Sequence, residues 1–340
     1  MDNPFLFSLF AILPIILVIG LGYFLKRINL VSDEFLNGAN KLIFKILLPV
    51  TLFYNIYNVK SIESIDWNLA LFSTVAILAV FGISILIVTF LVPVKNRKGV
   101  VVQAAIRSNY SIIGLPLASA IGGAAGVAAA SVVMAITIPI FNILAVIALS
   151  VYSDDVKVNV KDIIKKIVTN PLIIGVFTGI VFLVFRMVLP IPRSTNDLGD
   201  FITPMQNYVG PAYKTIEMVA GLSSAFSLII LGAGFKFMAI KEYFKDITIS
   251  VVMKNFLIPI IGLGLFIWIA ASTDWLTNTP ATMAALIPLF GSPTAVSSSI
   301  MAKEMGGDHV LASQVVVWSS LMSIISLFLC IFITASMGFL

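Results

Sequence analysis

Two basic residues lie deep inside apolar stretches of the sequence. Arg107 follows Lys98 by nine residues, and Lys254 follows Lys245 by nine residues, a distance of about 13 Å along a helix. If these stretches span a membrane, ionisable side chains at such depth mark a substrate or ion pathway. We predict that Arg107 offsets the charge of a bound anion or donates to freed carbonyls, and that Lys254 serves a second carboxylate. Snorkelling to the surface is the alternative for both.

Uncharged polar residues lie near these cations. The Asn109 amide can donate to a carboxylate and accept from the backbone, although contact between helices is the alternative. Ser292 is placed to cap a helix that starts at Pro293. The serines at 297–299 could line a cavity, coordinate sodium, or bond back to their own helix. Weaker candidates are Gln103, Asn142 and Asn255.

A glycine–proline pattern, G-x-P-x-A, occurs at residues 114–118 (GLPLA) and 291–295 (GSPTA). Proline removes a backbone donor and displaces the preceding residue from the helical region. Each helix should therefore break there and restart with proline at its first position, which exposes N–H groups and a positive dipole end. Two such ends meeting would attract an anion, whereas simple packing kinks are the alternative. The further candidate site residues are Gly114, Pro116, Gly291, Ser292, Pro293 and Thr294.

The composition indicates a membrane protein. Hydrophobic residues make up 59% of the 340 and charged residues 11%, and mean hydropathy is +1.08, whereas soluble domains carry about 25% charge. The net charge of +5 is spread between apolar segments, which argues against nucleic acid as a partner. One cysteine and one histidine exclude an internal disulfide and leave little for a metal site, a cofactor or enzyme chemistry.

Ten apolar segments are long enough to cross a bilayer as helices. Basic residues concentrate in the odd-numbered loops, which predicts that both termini face outward and that 153–168 is cytoplasmic, in the plasma (inner) membrane. The predicted spans are 4–25, 34–57, 67–93, 99–122, 125–152, 169–190, 211–238, 246–271, 280–303 and 309–338.

The long basic connection divides the ten spans into two halves. We predict a first five-helix repeat at 1–152, the cytoplasmic connection at 153–168, and a second repeat at 169–340. Because five is odd, repeats that share a fold must sit inverted in the membrane. The predicted fold class is an all-α polytopic membrane protein whose broken helices four and nine cross.

Motifs along the whole chain resemble the auxin efflux carrier family, specifically its bacterial members, often described as malate or malonate permeases. They are residues 20–27 (GLGYFLKR), 41–44 (KLIF), 47–49 (LLP), 107–117 (RSNYSIIGLPL), 170–172 (NPL), 302–304 (AKE) and 306–308 (GGD), with Pro139 and Asn142. The resemblance implies two inverted repeats, a homodimer built through the first two helices of each half, and elevator-type movement of the other three. The plant members' long central loop is replaced by 153–168, which favours small carboxylates over auxin.

The leading hypothesis is therefore a secondary transporter of a small carboxylate such as malate or malonate, with the lipid bilayer as its surroundings. A sodium-coupled symporter of the bile-acid type shares the broken-helix design and remains an alternative, as does an anion channel. No nucleotide-binding GxxxxGK[ST] motif occurs. An intramembrane enzyme would need a nucleophile and base or metal ligands at helical spacing, and the single Cys330 and His309 are too far apart in sequence.

Overall fold

The computed structural model describes residues 3–58, 66–152, 161, 164–165, 168–169, 171–188, 194–195, 201–202, 205, 208–235 and 241–340. The long elements among these residues are all helices. Most of the predicted connection 153–168 lies outside the described residues, as does much of 191–210, the loop between the predicted sixth and seventh spans. Within that loop, two two-residue strands pair antiparallel, with Ser194 opposite Ile202.

In the first half, α-helices are joined by two π-helical segments. The elements are α1 (Pro4–Arg27), α2 (Asp33–Leu42), π1 (Ile43–Leu47), α3 (Leu48–Tyr57), α4 (Trp67–Leu91), α5 (Lys95–Ile106), π2 (Tyr110–Gly114) and α6 (Leu115–Tyr152).

The second half contains the strand pair and a third π-helical segment. Its elements are α7 (Pro171–Val188), β1 (Ser194–Thr195), β2 (Phe201–Ile202), α8 (Gly210–Ala233), α9 (Phe244–Val252), π3 (Met253–Leu257), α10 (Ile258–Ser272), α11 (Pro280–Gly291), α12 (Ser297–Glu304) and α13 (His309–Ser336). Helix occupies part of each of the ten predicted spans. That all ten cross the membrane, and that the halves form an inverted repeat, stay predictions.

Side-chain caps fix where several helices begin. Ser32 Oγ accepts from the Phe35 N–H at 3.0 Å, and Asp308 Oδ1 accepts from the Leu311 N–H at 3.0 Å. Each cap satisfies a donor that lacks a partner inside its own helix. The polar residues between the apolar runs therefore do more than separate spans, since they also set the helix starts.

Proline accounts for the position of the π-helical segments. Because proline lacks an N–H and its ring clashes with the carbonyl four residues earlier, a wider turn just before it relieves both problems. Each described π segment ends two residues before a proline. The three pairs are Ile43–Leu47 with Pro49, Tyr110–Gly114 with Pro116, and Met253–Leu257 with Pro259.

Gly123 divides the 38-residue helix α6 into two parts. Its φ of 55° and ψ of −143° are not helical, and glycine is the residue that tolerates such a φ. A Cβ built on Gly126 would lie 2.5 Å from the Ala118 carbonyl oxygen, whereas eight residues of straight helix would span about 12 Å. The chain therefore turns back on itself at Gly123, between the predicted fourth and fifth spans.

Close backbone contacts unite α1, α3, α7 and α8. A Cβ on Gly232 of α8 would collide with the carbonyl oxygen of Ile19 in α1. A Cβ on Gly175 of α7 would lie 2.5 Å from the Pro49 carbonyl oxygen in α3. Thr51 Oγ1 of α3 also donates to a backbone carbonyl of α8 at 3.2 Å. Small residues at helix contacts are the usual means of close packing within a membrane.

A second set of close contacts surrounds the two broken helices. A Cβ on Gly99 of α5 would lie 2.8 Å from the Ala148 carbonyl oxygen in α6, and one on Gly122 would lie 2.9 Å from Ala284 Cβ in α11. The Phe290 ring of α11 fills the space beside Gly262 of α10. Helices α5, α6, α10 and α11 therefore pack tightly around the point where the breaks occur.

Apolar surface remains on the outside of the protein. Seven helices or continuous helical stretches among the described residues are long and apolar enough to cross a membrane. Leu17, Phe90 and Trp268 are examples of large hydrophobic side chains that these helices leave exposed. Contact between such surface and water is unfavourable, whereas the lipid bilayer can cover it. The chain is an integral membrane protein with several apolar helices.

Candidate functional site

Two helix breaks meet at the centre of the site. Helix α5 ends at Ile106 and α11 ends at Gly291, and beyond these ends Ser108 and Thr294 form an isolated antiparallel bridge. The Asn109 N–H donates to the Pro293 carbonyl at 2.7 Å, and the Ala295 N–H donates to the Arg107 carbonyl at 2.9 Å. The two breaks are in direct contact, through residues 107–109 of the first and 293–295 of the second.

The first break lies earlier than the glycine–proline pattern predicted. Gly114 ends π2 and Pro116 is the second residue of α6, whereas the residues outside a helix are 107–109. The predicted break at residues 114–118 is therefore wrong. The wide π turn accommodates Pro116 without interrupting the helix, and bonds to the second break hold 107–109 in a non-helical conformation instead.

The second break occurs at the predicted place, although Ser292 has a different part in it. Helix α11 ends at Gly291 and α12 begins at Ser297, so Pro293 and Thr294 lie between two helices. Ser292 follows the end of α11 and does not cap α12, whose start at Ser297 is preceded by Val296. The predicted N-cap is wrong because α12 begins five residues after Ser292, beyond the reach of its side chain.

Arg107 is buried beside the bridge, with 4% of its surface exposed. Its Nη2 donates to Asn142 Oδ1 at 2.7 Å, and its Nη1 lies 3.4 Å from the Met301 sulfur. Within the described part of the chain, no carboxylate lies within ion-pair distance of this guanidinium. In this conformation Arg107 does not snorkel, and none of the acidic side chains that the structure describes balances its positive charge.

Asn109 presents an unpaired donor at the same point. Its side chain is 97% buried, at 3% exposure, and Nδ2 has no hydrogen-bond partner among the described residues. The same holds for Ser292 Oγ and Ser298 Oγ. Buried polar atoms normally find partners, so a group of unpaired ones is a mark of a functional site.

Lys254 lies in π3, away from these polar atoms. It is 1% exposed and borders a cavity of about 10 Å³, roughly the space of one water molecule. That volume is smaller than an organic anion, and the predicted contact between Lys254 and a second carboxylate stays a prediction. The other lining residues are all apolar, namely Ile77, Val80, Ile106, Phe141, Ile258, Leu289 and Phe290.

Sequence analysis did not single out some of the residues that hold the crossing, the point where the two helix breaks meet. Ser319 Oγ accepts from the Thr294 N–H at 3.1 Å, and the Tyr110 hydroxyl donates to the Ala285 carbonyl at 2.8 Å. Gly114 lies directly against the Tyr110 ring. Ser319 is an ordinary small residue within α13 and carries no signal in the sequence. Its role depends on which helix packs against the second break.

A separate charged cluster joins the ends of three elements. Arg97 donates to Glu242 at 2.6 Å, and to Asp246 and Asp308 at 3.2 Å each, while its guanidinium lies 4.5 Å from the Tyr243 ring centre. Burial acts to lower the pKa of Arg97, but the hydrogen bonds to Glu242 and Asp246 prevail and raise it. The sequence placed Arg97 only among loop charges, because its partners are remote in the chain.

The site offers mainly hydrogen-bond donors in a buried setting. Arg107 has donors and no acceptor, and the unpaired atom of Asn109 is also a donor. Among the described residues, no three or more His, Cys, Asp or Glu side chains gather into a group that could hold a metal ion. The arrangement is suited to receive an acceptor-rich or negatively charged small molecule.

Comparison with known proteins places the chain in a family. Residues 7–331 match the family described as membrane transport protein, and no curated protein matches the chain. This is a family of transporters and not of enzymes, and it implies a membrane secondary transporter. The chain therefore belongs to the membrane transport protein family, which includes the auxin efflux carriers.

Proposed function

We propose that this transporter carries a small organic anion, a carboxylate such as malate or malonate, which binds where the two helix breaks meet. The observation that carries the proposal is the pair Arg107 and Asn109. One supplies a buried positive charge without a carboxylate partner, and the other supplies a buried amide donor without any described partner. A carboxylate would satisfy both, with charge-assisted hydrogen bonds.

The backbone around these side chains supports the proposal. The N–H groups of Asn109, Thr294 and Ala295 are already bonded within the protein, so side chains rather than those three N–H groups would contact the anion. Helix dipoles add positive potential, because π2 and α12 both start beside the bridge. The remaining proposed site residues, Gly114, Pro116, Gly291, Pro293 and Thr294, shape the crossing, while Ser292 contributes its unpaired hydroxyl.

The proposed architecture has ten transmembrane helices as two inverted repeats, with both termini outside and 153–168 cytoplasmic, in the plasma (inner) membrane. The two packing groups support an elevator-type mechanism. Helices α1, α3, α7 and α8 pack through their own glycine contacts, as a fixed scaffold would. Helices α5, α6, α10 and α11 pack around the crossing, as a moving part would. A homodimer would form through the scaffold.

A sodium-coupled symporter is the second candidate. The unpaired oxygens Ser292 Oγ, Ser298 Oγ and Gln103 Oε1 favour it, because sodium prefers hydroxyl and carbonyl oxygens. For an anion channel we find no comparable support among the described residues, since backbone hydrogen bonds join the two breaks to each other.

The test is transport by purified protein in liposomes. Labelled malate, malonate and acetate would be offered under imposed proton or sodium gradients, and uptake should be saturable and show counterflow. A sodium requirement would favour the second candidate, and unitary currents would favour a channel. Absence of uptake for every anion, with folded protein shown by a cooperative melting transition, would overturn the proposal.

A further inference from the structure

Lys254 is buried, no charged side chain among the described residues pairs with it, and the proposed contacts with the anion do not include it. Its side chain is among the largest fully buried ones, and no hydrogen bond or ion pair to its ammonium group is present among the described residues. It belongs to π3, and π-helical turns within α-helices frequently accompany functional positions. A buried lysine that stabilises nothing by pairing requires another explanation.

The surroundings of Lys254 connect it to both breaks. Ile106, which lines the cavity, directly precedes Arg107, and Phe141 directly precedes Asn142, the partner of Arg107. Leu289 and Phe290 lead into the second break. Lys254 therefore shares a cavity with residues that lead directly into both breaks and into the partner of Arg107.

No titratable group other than Lys254 is among the described residues that line this cavity. Apart from Lys254, all described cavity-lining residues are apolar. Arg107 is the charged residue next to the lining, and Tyr110 beyond it donates to a backbone carbonyl. Helices α4, α10 and α11 carry no titratable residue. On α5, α6, α9 and α13 the titratable residues are Lys95, Arg97, Lys98, Tyr152, Lys245, Asp246, His309 and Cys330.

The charge of Lys254 depends on what occupies the crossing. An ammonium ion buried among apolar side chains loses its hydration, and the positive Arg107 nearby repels it, whereas the neutral amine suffers neither penalty. A bound anion reverses the sign of the nearby potential. Because the surroundings of Lys254 are poorly solvated, little water screens that potential, and it favours the ammonium form.

Building on the proposed anion transport, we propose that Lys254 takes up the proton that travels with the anion. When the anion enters, the neutral amine accepts one proton from water on the same side and becomes an ammonium ion. When the anion leaves on the opposite side, the ammonium ion releases that proton there. No other bond forms or breaks, and the net charge moved per cycle is reduced by one.

The experiment compares proton and anion movement in the same liposomes. Wild-type protein is reconstituted around a pH-sensitive dye, with the membrane potential held at zero by potassium and valinomycin. Labelled malate is added at about pH 7.5, where both of its carboxyl groups are ionised and carry no proton themselves. The expected wild-type ratio is about one proton per malate.

Three variants give the comparison its controls. Lys254→Gln cannot bind the proton and Lys254→Arg cannot release it, so each should reduce the ratio of protons to malate by about tenfold. Lys245→Gln removes the same charge from the exposed surface nearby on α9 and should keep the wild-type ratio. The ratio is independent of how much protein is folded, and two different replacements guard against misfolding of either one.

Each outcome decides between the two proposals. Wild-type malate uptake without proton movement overturns the role of Lys254 and leaves anion transport standing. The role of Lys254 is also overturned if either Lys254 variant that takes up malate keeps the wild-type ratio. No uptake of malate, malonate or acetate by wild-type protein overturns anion transport, and the coupling with it.

Discussion

Two arginines at opposite ends of the same short helix have opposite environments. Arg97, in the first turn of α5, contacts three carboxylates within 3.2 Å. Arg107, just past the last turn, contacts an amide oxygen and a sulfur instead. The comparison distinguishes an arginine that is neutralised by carboxylates of the protein from one whose charge can pair with a ligand. The charge of a guanidinium that already contacts three carboxylates is balanced within the protein and is not left for a ligand.

The two arginines also connect different elements of the structure. Arg97 ties the start of α5 to the turn before α9 and to the start of α13, where Asp308 also caps the helix. Arg107 ties the first break to Asn142 in α6 and leaves its charge unbalanced. We therefore expect mutations at Arg97 to affect folding, and mutations at Arg107 to affect transport.

The largest expected effect is that of Arg107→Gln on uptake. Removing a buried charge that pairs with the anion should cost about 3 kcal/mol of binding, or roughly 100-fold in initial malate uptake at low concentration. Arg107→Lys keeps the charge but loses the planar fork, so it should recover part of the activity. Uptake by Arg107→Gln within threefold of wild type would show that the charge is not used.

Arg97→Ala tests the other side of the comparison. It leaves Asp246 and Asp308 nearly buried without their partner, so the free energy of unfolding should fall by about 2 kcal/mol. Glu242→Gln is the matched control, because the Glu242 side chain is 70% exposed and an exposed pair contributes about 0.5 kcal/mol. Thermal melting in detergent measures the stability of both variants. Equal losses of stability for the two variants would contradict a stabilising role of the buried Arg97 contacts.

Asn109→Ala should separate binding from stability. Its amide nitrogen has no described partner, so the melting temperature should change little, while loss of a hydrogen bond to a charged ligand costs about 1.5–3 kcal/mol. We expect the KM for malate to rise about tenfold or more, by the usual conversion of 1.4 kcal/mol per tenfold. A lower melting temperature with an unchanged KM would place Asn109 in the structural class with Arg97.

Ser292→Ala is the smallest expected effect. Its hydroxyl is buried and unpaired among the described residues, so removal should not destabilise the fold. A neutral hydrogen bond to the anion is worth about 1 kcal/mol, which predicts a rise in KM of about fivefold. If sodium stimulates wild-type uptake and this stimulation disappears in Ser292→Ala, the hydroxyl serves sodium rather than the anion.

Local properties of the molecule were accessible from the sequence. The spacing of Arg107 from Lys98 and of Lys254 from Lys245 predicted deep positions, and both side chains are buried. Pro293 marked the second break correctly, since a proline that follows a helix end reflects its missing donor. The same reasoning failed at Pro116, because a π-helical turn and a proline kink are alternative responses to one residue.

Pairings between remote residues were not accessible. Arg97 and Asp308 are 211 residues apart, and Arg97 and Asp246 are 149 apart. The bonds between the breaks similarly join residues from opposite halves of the chain. Hydropathy distinguishes the apolar stretch before Arg107 from the polar segment that holds Arg97, but no local pattern shows which arginine finds carboxylate partners.

The sequence by itself determined that this protein lives in a membrane, where its apolar runs begin and end, and which side chains lie deep. These properties follow from hydropathy and backbone chemistry, which act over a few turns of helix. Tertiary structure alone decided which arginine is neutralised, which amide is left unpaired, and where the first helix breaks. Those outcomes depend on which groups from distant segments arrive within hydrogen-bond distance, and packing of the whole chain sets that.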